Sequence, residues 1–188
     1  MIALRVLIAS TRPGRLGLPV SEWAIERAKA HAAFDVGVLD LAEIALPFLD
    51  EPNHPRLREY TKPHTKRWSA TIEAAEAFMF VVPEYNYGMN APLKNAIDYL
   101  HSEWHYKPVG FVSYGGISAG TRGVQMAKQV VTSLKMFPLF EAVQIPFVRQ
   151  FIGEDGAFHP NEELEKGMTG MLAELEKLAL ALRPLQRA

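Results

Sequence analysis

The chain has 188 residues, 48% of them hydrophobic and 22% charged, enough apolar material for one domain with a full core. Lys plus Arg number 20 against 21 for Asp plus Glu, a net charge of -1, which gives no long-range attraction to nucleic acid or to an anionic membrane. Cysteine is absent, which excludes disulfides, thiolate metal sites and every cysteine nucleophile.

The first apolar stretch, residues 2–9, contains Arg5 and is far shorter than the roughly 20 residues a membrane span needs. It has no basic segment ahead of it and runs into Arg12 and Arg15, unlike a secretory signal. The expectation is a soluble, cytoplasmic protein.

Residues 3–9 (A-L-R-V-L-I-A) read as a buried strand and residues 10–18 as a loop. Pro19 then opens a helix to about residue 32, with Val20, Trp23, Ala24 and Ala28 on its apolar face. Residues 34–39 read as a second strand. Residues 41–65 carry Pro47, Pro52, Pro55 and Pro63, too many breakers for a long element, and read as an excursion over one side. A helix over 68–75 leads to a strand at 77–82 (A-F-M-F-V-V), the most strand-like run in the chain.

Residues 83–90 form a loop, and Asn90-Ala91-Pro92 starts a helix whose apolar face is Leu93, Ala96, Ile97 and Leu100. A fourth strand at 109–114 precedes Gly115-Gly116-Ile117-Ser118-Ala119-Gly120 and a helix to about residue 135. A fifth strand lies within 139–148. The last helix turns Leu164, Met168, Met171, Leu175 and Leu178 inward, and its glutamates with Lys166 and Lys177 read as a solvated face. Five alternations of strand and helix over residues 1–188 predict a single α/β domain: a five-stranded parallel sheet with helices on both faces.

In such sheets ligands bind beyond the carboxyl ends of the strands, where strand order reverses. Three loops there are unusual. The first, Ser10-Thr11-Arg12-Pro13-Gly14-Arg15, offers hydroxyls, guanidinium groups and backbone N–H groups ahead of a helix, a pattern suited to an anion such as phosphate. The alternative is a surface loop with two solvated arginines. Neither G-x-x-x-x-G-K-[S/T] nor G-x-G-x-x-G occurs in the chain. The second loop, Pro83-Glu84-Tyr85-Asn86-Tyr87, is too aromatic to be left in water without reason; its tyrosines line a pocket, meet a partner or cap the core. The third, Ser113-Tyr114-Gly115-Gly116, lets backbone approach a flat ligand, though a simple turn explains it equally. Together the loops describe a site for a phosphorylated, planar, aromatic ligand, and FMN fits.

These segments, with Leu93-Lys94-Asn95-Ala96-Ile97-Asp98-Tyr99, resemble the NADPH-dependent FMN reductase family in order and spacing over roughly the first 150 residues. The resemblance implies a flavodoxin-like three-layer sandwich of strand order 2-1-3-4-5. It also implies non-covalent FMN, NADPH or NADH as co-substrate, and a homodimer or homotetramer. Phosphate contacts map to Ser10, Arg12, Arg15 and Gly17 with Thr11 beside them. Isoalloxazine contacts map to Pro83, Glu84, Tyr85 and Asn86 with Tyr87 adjoining, and the pyrimidine edge to Ser113, Gly115 and Gly116 with Tyr114 between them. Ala9 stands where many members carry Gly, and Tyr87 where many carry a smaller residue.

The implied chemistry passes a hydride from reduced nicotinamide to FMN N5, then to a small-molecule acceptor: flavin, quinone, azo compound or metal oxyanion. The flavin supplies the reactive atoms, so no side chain is named as catalytic. No residue can be assigned to a ribose phosphate, so NADPH over NADH follows from the resemblance alone. Three other readings compete. One is an FMN electron carrier without nicotinamide turnover, disfavoured by the near-neutral charge. Another is a metal-dependent hydrolase with His101 and His105, spaced i, i+4, on one metal and Glu103 nearby, but Lys107-Pro108 ends the segment and no convincing third ligand is local. The last is a fold kept only for association, with Met89, Trp104 and Tyr106 as its surface; the preferred reading of these three is a dimer interface that also walls the flavin pocket. His31, His54, His64 and His159 read as isolated surface residues.

Overall fold

A computed structural model describes residues 1–186. The parallel strands are β1 (Ile2–Ile8), β2 (Phe34–Asp40), β3 (Ala77–Tyr85), β5 (Pro108–Tyr114) and β6 (Phe137–Ile145), in the order β2-β1-β3-β5-β6. Counting parallel strands alone, this is the expected 2-1-3-4-5. The sheet has one more member: a two-residue strand, β4 (Gly88–Met89), folds back antiparallel on β3, pairing Glu84 with Met89 and Tyr85 with Gly88.

That hairpin turns on Asn86 and Tyr87, both at positive φ (48° and 69°). Two such residues in a row make the tight turn whose twist matches its strands. Asn takes this conformation readily, whereas a tyrosine is strained in it. The Tyr87 ring is held from outside by the Arg122 guanidinium, 3.6 Å from its centroid.

Helices α1 (Gly17–Ala30), α2 (Leu41–Ile44), α3 (Pro63–Glu73), α4 (Ala91–Asp98), α5 (Thr121–Ser133) and α6 (Glu162–Gln186) flank the sheet. Successive residues of a strand point to opposite faces, and β3 shows the consequence. Its Ala77, Met79 and Val81 join one apolar cluster with α1 and α6, while Phe78, Phe80 and Val82 join a second with α3, α4 and α5. β3 and β5 lie inside the sheet, so their runs are apolar on both faces.

Several sequence expectations change. Trp104 is not on a surface: its ring is fully buried against Trp68, Phe78 and Phe80, with Nε1 donating to the Ile97 carbonyl at 3.1 Å. Met89 is buried as well. The α6 outer face is also less solvated than expected, because Glu165 accepts from Arg27 and from Trp23 Nε1, tying α6 to α1. His31, His64 and His159 are not isolated; each contacts a carboxylate, on Glu176, Asp50 and Asp155 respectively. The 41–65 excursion is ordered by short pieces, α2 and a 3-10 turn at Pro55–Leu57, before Pro63 opens α3. No helix among the described residues is long and apolar enough to cross a membrane.

Candidate functional site

β1, β3 and β5 end on one edge of the sheet, and β1 and β3, consecutive in the sheet but not in the chain, bracket the point where strand order reverses. A cavity of about 440 Å3 opens there. Its walls are Arg12 and Leu16 after β1, Pro83, Glu84 and Tyr85 at the end of β3, Tyr114 at the end of β5 with Gly115 and Gly116 after it, and residues 147–150 after β6.

The loop after β1 is fixed from beneath. Arg15 donates from Nη1 to Asp40 Oδ1 at 2.6 Å and to the Ser10 carbonyl at 2.6 Å, while Nη2 closes on Asp40 Oδ2. Both side chains are largely buried, and the Asp40 carboxylate, through this bond, raises the Arg15 guanidinium above its ordinary value. Asp40 also caps α2, accepting from Ala42 N–H at 2.9 Å. Arg15 is therefore a brace between loop one and β2, where the sequence had put it on phosphate. Arg12 is exposed and, among the described residues, has no hydrogen bond or ion pair. The backbone N–H groups of Thr11, Arg12 and Gly14 likewise donate to no described acceptor, whereas Arg15 N–H closes the loop on the Arg12 carbonyl at 3.1 Å.

Ser10 is buried and its hydroxyl meets Tyr85 Oη at 3.1 Å, linking the first loop to the second. Gly17 opens α1 beneath Tyr114; a Cβ there would stand 2.2 Å from the Tyr114 hydroxyl oxygen, so only glycine lets the tyrosine lie across the helix start. Burial pushes the Tyr114 hydroxyl well above its usual range, against the opposing effect of Ser10, so it stays protonated at neutral pH.

The Glu84 carboxylate accepts from Arg122 twice, from its backbone N–H at 3.0 Å and from Nε at 2.7 Å. Burial raises its pKa, but bonds from Ser118 and Arg122 outweigh this and hold the carboxyl below the ordinary range. It is a permanently ionised tie between β3 and α5. The Ser113 hydroxyl is also turned away from the cavity, donating to the Ala119 carbonyl at 2.8 Å. Gly116 is the reverse case: nothing lies within 4 Å of where a Cβ would stand, and its N–H has no described acceptor.

Seven of the fourteen residues singled out in the sequence line the cavity: Arg12, Pro83, Glu84, Tyr85, Tyr114, Gly115 and Gly116. Ser10, Arg15, Gly17 and Ser113 brace its walls. Asn86 and Tyr87 form the hairpin turn beside it, and Thr11 faces a neighbouring cavity of about 470 Å3. That neighbour, walled by Leu41, Phe48, Pro92 and Asn95 among others, has no charged side chain in its lining. Sequence reasoning missed Arg122 and the wall at 147–150. The rule that picked out the other loops, proximity to a strand's carboxyl end, would have found the latter had it been applied after the fifth parallel strand. Among the described residues no group of three or more His, Asp or Glu could hold a metal.

The FMN expectation can be tested on these donors. FMN presents a phosphomonoester dianion and a flat ring with acceptor atoms along one edge. An uncommitted guanidinium beside free N–H groups suits the first; an aromatic and prolyl wall facing an open Gly-Gly turn suits the second. The residues fit the group.

A doubly wound sheet with an anion nest and an aromatic wall at its switch point defines a mononucleotide-binding α/β protein. Residues 2–150 match the model of one family, described as NADPH-dependent FMN reductase. The NAD(P)H-dependent FMN reductase C4B3.06c of Schizosaccharomyces pombe is 40% identical over 145 residues, 75% of this chain and 72% of that protein. The NAD(P)H-dependent FMN reductase ntnL of a Nectria species is 35% identical over 153 residues, 78% and 76% of the two chains. The solved structure of FerB, a flavoenzyme NAD(P)H:(acceptor) oxidoreductase from Paracoccus denitrificans, superposes with a TM-score of 0.75 over 96% of this chain and 98% of its own, at 19% identity. That likeness concerns the flavodoxin-like fold. The chain belongs to the NADPH-dependent FMN reductase family.

Proposed function

We propose that this chain is an FMN-dependent NAD(P)H oxidoreductase that reduces a small-molecule acceptor, and that the cavity beyond β1, β3 and β5 is its active site. The observation that carries the assignment is the Arg12 guanidinium, without a partner among the described residues, on a loop whose Thr11, Arg12 and Gly14 N–H groups have no described acceptor, facing the Pro83–Tyr85 and Gly115–Gly116 walls of one cavity.

In this reading Arg12 and the N–H groups of Thr11, Arg12 and Gly14 hold the phosphate, while Arg15, through Asp40, keeps the loop in shape. Pro83, Tyr85 and Leu16 give the ring an apolar bed and exclude water from it. The Gly116 N–H is available to the ring's polar edge, where it would stabilise negative charge as an oxyanion hole does. Bound FMN supplies the hydride-accepting and hydride-donating chemistry. Glu84, held ionised by Arg122 and Ser118, is not a proton donor at neutral pH. Tyr114 keeps its proton and can hydrogen-bond a ligand but is not available as a phenolate base. No protein group is needed as acid or base, so we assign no catalytic side chain.

The reading extends to one FMN-binding domain over residues 1–188 in a cytoplasmic homo-oligomer. The association rests on the resemblance to the family; the large side chains Phe48, Tyr87, Ile117 and Phe140 are exposed and open to contact with a second copy. Light scattering reads the mass directly. A dimer or tetramer is expected, and a monomer at all concentrations would remove that part.

The enzyme and the FMN electron carrier are separated by mixing flavin-loaded protein with NADPH without oxygen. Rapid bleaching near 450 nm, on the order of a typical turnover of ~10 s-1, supports the oxidoreductase. Unchanged absorbance over an hour would leave a carrier.

A further inference from the structure

The cavity is ringed by arginines, and they are not equivalent. Arg15 is bound to Asp40, and Arg122 to Glu84 and the Tyr87 ring. Two guanidinium groups in the lining, Arg12 and Arg149, have no carboxylate partner among the described residues. The phosphate of FMN accounts for Arg12. It leaves Arg149, on the opposite wall, without a role.

The wall that carries Arg149 is built with care. Phe147 stands at φ 45°, a conformation costly for an aromatic residue. The segment is tied to the Gly115–Gly116 turn by two backbone bonds, Phe147 N–H to the Gly116 carbonyl at 3.1 Å and Val148 N–H to the Gly115 carbonyl at 3.2 Å. Val148 anchors it in the core while Phe147 remains about half exposed (48%). A flat ring and a free guanidinium thus stand two residues apart on a fixed rim, both facing the cavity. Between Pro146 and Gly153 the sequence holds no acid. Nicotinamide enzymes that take NADH commonly bind the adenosine 2′-hydroxyl with a carboxylate, whereas an arginine accommodates the 2′-phosphate of NADPH. A phosphomonoester also carries nearly twice the charge of a pyrophosphate phosphorus, which favours it at a solvent-facing guanidinium.

We propose that Arg149 selects NADPH over NADH by pairing with the 2′-phosphate of the co-substrate, with the Phe147 ring as the platform for its adenine. This rests on the proposed nicotinamide-dependent use of the cavity.

The test is calorimetric titration of the FMN-loaded protein with adenosine 2′,5′-bisphosphate and, separately, with adenosine 5′-monophosphate, which differs only in lacking the 2′-phosphate. FMN content, read from absorbance before titration, reports on the underlying reading by itself. The parent protein is expected to prefer the bisphosphate. Arg149→Gln should cut that preference about tenfold or more, the range of a lost charge-assisted bond, and Arg149→Lys should restore part of it. In turnover, the ratio of KM for NADPH to KM for NADH should rise in Arg149→Gln by a similar factor. Three outcomes would overturn the proposal: a parent protein that does not distinguish the two nucleotides, an Arg149→Gln variant that keeps the full preference, or one that weakens both ligands equally.

Discussion

Replacing Asp40 with alanine isolates the brace under the phosphate loop. The Arg15 guanidinium would then lie in a site where its side chain is only 14% exposed, with no counter-ion. Removing one member of a buried ion pair costs about 3–5 kcal/mol, because the other stays buried and unpaired. The Ala42 N–H also loses its cap, worth about 1 kcal/mol on its own, but the two losses share one carboxylate and overlap. The expected destabilisation is about 4 kcal/mol, or roughly 8–16 °C in Tm for a chain of this size. Urea unfolding of the FMN-free protein, followed by tryptophan fluorescence, measures it without interference from ligand binding. Arg15→Met should cost a similar amount, and the Arg15→Met/Asp40→Ala double variant less than the sum, by more than about 1.5 kcal/mol. If Asp40→Ala stays within about 1 kcal/mol of the parent, the pair is not a brace and the account of loop one fails.

Two further expectations concern the frame around the site. Gly120 has φ 82°, and a Cβ there would stand 2.8 Å from Ser113 Cβ and from Tyr114 N; Gly120→Ala should lower stability by more than about 2 kcal/mol in the same assay, and a neutral result would contradict the packing of the Gly115–Gly120 turn. Burial lowers the Lys107 ammonium to about 8 although Nζ bonds the Ile72 and Glu73 carbonyls at 2.6 and 3.0 Å. Above pH 8 the folded chain has therefore shed a proton that the unfolded chain keeps to about 10.5, so stability should climb between pH 8 and about 9.5 relative to Lys107→Met, by up to ~1.4 kcal/mol per unit. Parallel pH profiles for parent and variant would refute it.

What the sequence made legible follows from range. Strands β3 and β5 are visible because burial on both faces demands unbroken apolar runs. Loop one is visible because hydroxyls, arginines and a glycine crowd the turn between a strand and a helix. The assignment of individual donors is not legible, since it depends on groups brought together by the sheet. Arg15 and Arg12 look alike in the chain; only the pairing of β1 with β2 carries Asp40, 25 residues on, beneath one of them. Glu84 reads as a ligand contact until α5 delivers Arg122 from 38 residues away. Trp104 reads as part of an association surface near the second loop, yet a 3-10 turn at Ser102–Trp104 folds its indole into the core. The wall at 147–150 is the same lesson at the sheet's far strand: hydrogen bonds to the Gly115–Gly116 turn, across 31 or more positions, make it part of the site.

The central claim is that this cavity grips a flavin by its phosphate through Arg12. Titrating apo-protein with FMN and with riboflavin, and reading the quenching of flavin fluorescence, tests it without depending on any acceptor. The parent should bind FMN far more tightly than riboflavin, and Arg12→Ala should shrink that advantage by about 10–100-fold while leaving riboflavin affinity nearly as it was. An FMN advantage that survives Arg12→Ala intact, or a parent that quenches neither flavin, would contradict it.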